Sequence, residues 1–189
     1  LVAVTLACLL PFAGKAFNID DTLFLWMAKQ IHASPFDAYG FSGNWDGVLR
    51  PAPEIIKNPP AASYYLALAA SIGGFGERAL HLAFLLPALA VSLGTYLLAR
   101  RYTSMPIAAA LIAVLSPVFM VSANTVMCDM LMLAFWVWAV LLWVRGLERH
   151  EGLTLLLAGA LVALSALTKY FGASLIPLLA AYSLLERKP

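Results

Sequence analysis

Charge is scarce in this 189-residue sequence. Asp, Glu, Lys and Arg make up 12% of it, against roughly 25% in soluble domains. The hydrophobic fraction is 62% and the mean hydropathy is +0.86. A water-soluble domain of this length lacks the interior to hide so much apolar surface, so lipid must act as part of the solvent. Cysteine is nearly absent too. Cys8 and Cys128 both lie in apolar stretches and read as small buried hydrophobes, not as a disulfide pair. No cluster of residues has a metal-ligand spacing, and no glycine-rich loop leads into a helix. A soluble nucleotide donor therefore finds no phosphate cradle. The net charge of +2 carries no sign of nucleic acid as a partner.

The few charges are placed so that they define a topology. The opening run Leu1–Gly14 is shorter than the ~20 residues a span requires. It reads as a retained first span whose start is missing, with a signal-peptide core as the competing reading. The segment from Asn18 to Asn58 holds five acids and three bases and is too polar to cross a bilayer. Ala79–Ala99 carries one ionisable residue, His81, and ends at Arg100-Arg101. No charge occurs from Tyr102 to Cys128; Asp129 interrupts, and Met130–Val144 leads to Arg145 and Arg149. Leu153–Leu185 is uncharged except for Lys169 and ends before Arg187-Lys188.

Basic residues collect on the cytoplasmic side of a membrane. Arg100/Arg101, Arg145/Arg149 and Arg187/Lys188 thus belong on one face, with an even number of spans between successive clusters. That predicts one helix to about Asn124 and another starting near Asp129. It also predicts two short helices turning around Thr168–Gly172, each some ~24 Å long, with one long tilted helix as the alternative. The expected fold is all-α, a multi-pass transmembrane bundle of about six spans. Its expected parts are a first span at 1–17, an outer loop at 18–76 and the remaining spans at 77–189. These form the N-terminal part of a single membrane domain, in a chain that reads as a fragment. The acidic loop, Asp129 and Lys169 then converge on the outer face.

Within the loop, Leu23, Phe24, Met27, Ala28 and Ile31 fall on one stripe of a helix over Asp21–His32. That helix is too short to span and is expected at the interface, anchored by Trp26. Pro60 suits a first helical turn, and Ala61–Ile72 forms a second short helix before Gly73-Gly74, with Tyr64 and Tyr65 at headgroup depth.

The adjacent carboxylates Asp20 and Asp21 stand where the first span meets the outer interface. A helix N-cap needs one Asp. Two side by side against a membrane repel each other, and ionisable groups at such depth are functional by default. They are candidates for catalysis or for holding a divalent cation, although no cofactor is required. Asp129 follows Asn124-Thr125, so capping competes there with function. Lys169, snorkelling or at an outer turn, is placed to meet a phosphate, and Lys57 is a second candidate for that contact. His32 and His81 read as structural polar groups.

The order and spacing of these features resemble a family. Asn18-Ile19-Asp20-Asp21-Thr22-Leu23-Phe24 resembles the first-loop acidic motif of GT-C glycosyltransferases. More narrowly, it resembles the bacterial branch related to protein O-mannosyltransferases and aminoarabinose transferases. Asn58-Pro59-Pro60-Ala61-Ala62-Ser63-Tyr64-Tyr65-Leu66 is similar to the Pro-Pro-aromatic segment of that branch. Gly76-Glu77-Arg78-Ala79-Leu80-His81 is similar to the start of its second span, and Asp129 and Thr168-Lys169 fall where it carries an aspartate and a lysine. Relatives often have Asp-Glu in place of Asp20-Asp21, and several place His or Lys directly before the two prolines, where this chain has Asn58.

The resemblance implies transfer of a sugar from a polyprenyl phosphate to a lipid, glycan or protein acceptor on the outer, periplasmic side of a bacterial inner membrane. Asp20 would be the general base of an inverting displacement, and Asp21 would orient the acceptor or bind a cation. Asp129, Lys169, Lys57 and Tyr64 would contact substrate. The alternative class is a transporter or flippase-like protein with Asp129 and Lys169 on its path, which predicts discontinuous helices and polar residues near mid-membrane.

Overall fold

A computed structural model describes residues 1–186. Arg187 and Lys188, the third basic cluster expected from the sequence, lie outside the described residues. The chain is all-α apart from one small hairpin. Helix α1 spans Val2–Leu9 and continues into a 3-10 turn, Leu10–Phe12. Helix α2 covers Asp21–Ala33. Strands β1, Ser42–Asn44, and β2, Leu49–Pro51, pair antiparallel with Gly43 opposite Arg50. Then come α3, Ala52–Ile55, α4, Ala61–Gly73, and the long α5, Glu77–Tyr102. Helices α6, Pro106–Val114, and α7, Pro117–Ala123, precede α8, Cys128–Arg149. Helix α9, Gly152–Thr168, turns through a 3-10 segment, Tyr170–Ser174, into α10, Leu175–Glu186.

Among the described residues two helices, α5 and α8, have the length and apolarity of a membrane span. The pair α6 and α7 would make a third if read as one span bent by 60°. The bend departs from the single helix to Asn124 expected above, and its cause is local. Ser116 leaves helical geometry, and its side chain accepts from the Phe119 amide. Pro117 then starts a new helix at the position where its missing N–H costs nothing. The other apolar segments, Val2–Phe12, Ala61–Gly73, Gly152–Thr168 and Tyr170–Glu186, are shorter.

Helices α5 and α8 run in the same direction. Arg101 near the end of α5 pairs with Glu148 near the end of α8. Trp138 in α8 donates to the Ala90 carbonyl in α5 at 2.9 Å, and Gly94 lets the two approach, since a Cβ there would sit 2.6 Å from Val137. Two long helices in sequence, parallel to each other, require the chain between them to return; α6 and α7 make that return. Helix α9 packs antiparallel along α8, tied by Ser165 Oγ donating to the Met132 carbonyl at 3.3 Å. Helix α10 turns back again. Trp136 stacks on Phe171, and seven residues further along α8 Trp143 donates to Ser183 Oγ at 2.9 Å. The stretch 153–185 is therefore two helices and not one tilted span, and Arg100, Arg145 and Glu186 share one end of the bundle.

The loop helix α2 forms and buries Phe24, Met27, Ala28 and Ile31 of the expected stripe; Leu25 joins them, while Leu23 is only partly buried. That stripe is covered by protein, not presented to lipid. It lies against α4, where Ser63 Oγ donates to the Phe24 carbonyl at 3.1 Å. Trp26 packs edge-on against Trp45 and closely over Gly43 of the hairpin.

Cysteines placed at Ser42 and Thr103, after replacement of Cys8 and Cys128, are expected to react with an impermeant thiol reagent from opposite sides of the membrane. Equal labelling of both from outside sealed cells overturns this topology.

Candidate active site

Four segments far apart in sequence meet at the end of the bundle opposite the arginines. The first is the turn before α2. Asp20 ends it exposed, with no capping bond from its side chain to the helix, so the N-cap role weighed for it is not realised. Asp21 is 0% exposed. One of its oxygens accepts from the Asn18 amide at 2.7 Å, closing the turn on itself. The other accepts from the Val126 amide at 2.9 Å, across 105 positions of sequence. Burial pushes the Asp21 carboxyl above its ordinary value, against the pull of both amides and of the His81 and Lys15 charges. The adjacent pair is thus split into one stapled carboxylate and one left facing outward.

The second segment is Thr125–Asp129, which leads into α8. Val126 is fully buried and directs its amide to Asp21. Asp129, in the first turn of α8, does not cap it. Its carboxylate accepts from Lys169 Nζ at 2.6 Å and lies beside the Cys128 thiol. Lys169 brings the third segment, the turn between α9 and α10. Both members of the pair are about one-third exposed. Burial works against the ammonium, yet the Asp129 bond and charge outweigh it and hold Lys169 above its ordinary value. The turn fits because residue 172 is glycine; a Cβ there would meet the Ser165 carbonyl carbon at 2.3 Å.

The fourth segment is the loop ahead of α4. Tyr39 donates to the Asn58 carbonyl at 3.2 Å. Burial raises the pKa of the Tyr39 phenol, and the Tyr170 charge adds to it. Lys57 itself is exposed and donates to the Pro53 carbonyl at 3.3 Å. Tyr64 is 41% exposed and donates to the Pro35 carbonyl at 2.6 Å. Neither is bonded to the aspartates or to Lys169.

Of the residues singled out from sequence, Asp21 is joined to the start of α8 and Asp129 to Lys169. Lys57 and Tyr64 stay in the loop. Sequence reasoning missed Val126, whose role is played by a backbone amide that no side-chain pattern announces. His81 is buried, stacks on Phe17 and bonds the Glu77 carbonyl at 2.8 Å, which is the structural role expected of it, although Nε2 is left without a partner. Beside Asp129, a cleft of about 360 Å³ runs among apolar side chains of α5, α7 and α8, with Ser116 and Ser122 on its wall. Among the described residues no group of three His, Cys, Asp or Glu is gathered to hold a metal.

Residues 57–189, more than two-thirds of the chain, match the model of the dolichyl-phosphate-mannose-protein mannosyltransferase family. The chain belongs to that family. Membership makes it a membrane glycosyltransferase of the mannosyltransferase type, in keeping with its apolar helices. No curated protein and no solved structure matches it. Within the mannosyltransferase match lie Asp129, Lys169, Lys57 and Tyr64, whereas Asp20 and Asp21 precede it, Asp21 being tied to it by the Val126 bond.

Asp21→Asn is expected to lower the melting temperature of the purified protein. An amide has one acceptor oxygen, so an NH₂ group would face one of the two backbone N–H donors. Leaving a buried donor unsatisfied costs about 1–3 kcal/mol. An unchanged melting temperature would show that the staple does not hold the loop.

Proposed function

We propose that this chain carries the donor and base machinery of an inverting transferase that moves a sugar from a polyprenyl phosphate to an acceptor hydroxyl on the outer face. The observation that carries the reading is the split pair: Asp20, exposed and unbonded beside a buried, stapled Asp21, in a mannosyltransferase. A general base must reach its proton and be free to take it. Asp20 meets both conditions, and Asp21 holds it in place instead of orienting acceptor or binding a cation.

In the proposed step the acceptor hydroxyl oxygen attacks the anomeric carbon as Asp20 takes its proton. The bond from that carbon to the phosphate oxygen breaks on the opposite side, and the lipid phosphate leaves with the electron pair. Negative charge on the leaving phosphate needs a positive partner. Lys169 supplies it, because an ammonium has three donors and Asp129 engages one. Asp129 keeps the ammonium at the outer end, and the apolar cleft beside it suits a donor carried on a lipid. Lys57 and Tyr64 belong to the loop that roofs this end and would touch acceptor, not phosphate.

In this reading the chain is a single membrane domain of six crossings, with α9 and α10 as its thin members, in a bacterial inner membrane with the site facing the periplasm. The α6–α7 break is the discontinuity a transporter would show. Its residues, Leu115 and Ser116, carry no charge themselves, while Ser116 lines the same cleft as Asp129. Family membership decides for the transferase.

Asp20→Asn in the full-length protein is expected to insert and fold normally while transfer falls by about 10²–10⁴. Near-normal transfer from a lipid-linked mannose donor would remove Asp20 from the chemistry. Lys169→Met should raise the donor KM more than the acceptor KM. An unchanged dependence on donor concentration would exclude Lys169 from phosphate binding.

A further inference from the structure

The end of the bundle away from the aspartates holds a second cleft. Helices α5 and α8 part there around a cleft of about 370 Å³. Its inner walls are Leu97, Leu141, Leu142 and Trp138; its mouth carries Arg100, Arg101, Arg145 and Arg149, with Glu148 as the one acid among them. Leu97 and Leu141 each stand four positions before an arginine of the rim, Arg101 and Arg145. The apolar wall therefore begins one helical turn, about 6 Å, deeper than the charges.

The charges at the mouth do not cancel. Arg101 is paired with Glu148, and Arg149 lies 3.8 Å from Glu151. Arg100 sits over the Tyr96 ring at 6.0 Å. Among the described residues neither Arg100 nor Arg145 has a carboxylate partner. Insertion into a membrane accounts for basic residues at this end. It does not account for their gathering on two helices around one cleft, nor for the choice of arginine at all four places. A guanidinium fork fits a phosphate with two parallel bonds, where an ammonium offers only a point charge.

We propose that this cleft binds an anionic phospholipid of the adjacent leaflet. Its phosphodiester is held by Arg100 and Arg145, and the first carbons of its acyl chains lie on Leu97, Trp138, Leu141 and Leu142. Both halves of the occupant follow from the geometry. The cation surplus selects a headgroup of net negative charge over a zwitterionic one, and the apolar depth selects a lipid over a free phosphate. The site stands apart from the transfer reaction and does not depend on it.

The test uses full-length protein in detergent with equal amounts of phosphatidylglycerol and phosphatidylcholine, the bound adducts being counted by native mass spectrometry. Phosphatidylglycerol is expected to dominate the first adduct. An arginine at a membrane surface is worth roughly fivefold for an anionic lipid, so Arg100→Gln with Arg145→Gln should reduce the preference roughly thirtyfold. Because that change also alters the charges that orient insertion, Leu141→Trp serves beside it. It fills the apolar depth with no change of charge and should abolish the adduct as well. Inorganic phosphate at matched concentration should not displace the lipid. A preference unchanged in both variants overturns the proposal, as does displacement by inorganic phosphate, which would show an anion site without a lipid.

Discussion

One buried carboxylate holds the outer end of this molecule together. Asp21 gives an oxygen to the Asn18 amide and an oxygen to the Val126 amide, and it has no contact with solvent. Burying a carboxylate is costly unless hydrogen bonds replace its water, and charge-assisted bonds to backbone N–H groups are among the stronger ones available. That pair of bonds ties the acidic turn to the start of α8, beside the packing of α2 on α4. The turn carrying Asp20 is held to the segment that starts α8, and three residues beyond Val126 stands Asp129 with its bond to Lys169.

The two ion pairs at opposite ends of the bundle differ in what surrounds them. Arg101–Glu148 is a link between helix ends with the glutamate half exposed, a setting in which pairs are worth little. Lys169–Asp129 is about one-third exposed and closes the last turn of the bundle onto α8. The bundle itself is fastened by spaced polar contacts: Thr5 to Ser92, Trp138 to Ala90, Trp143 to Ser183. Such contacts average about 0.6 kcal/mol each within a membrane. They set register between helices that close apolar packing holds together.

The sequence alone determined the membrane class, the all-α fold and the common end of the bundle at which Asp129 and Lys169 meet. Each followed from the spacing of a few charges in an apolar chain, because charge and hydrocarbon do not mix and basic residues stay on one face. The limits of α2 and α4 were legible as well, from a helical stripe and from Pro60 followed by Gly73-Gly74. The parallel course of α5 and α8 needed only the counting of arginine clusters.

Tertiary structure decided the rest. Two neighbouring aspartates with equal standing in the sequence took opposite fates, because one found backbone amides and the other did not. An amide donor such as Val126 has no side-chain signature, so the partner of Asp21 was invisible from sequence. The break between α6 and α7 and the burial of the α2 stripe against α4 likewise depended on which surfaces met. Periodicity tells which face of a helix is apolar; only packing tells whether protein or lipid covers it.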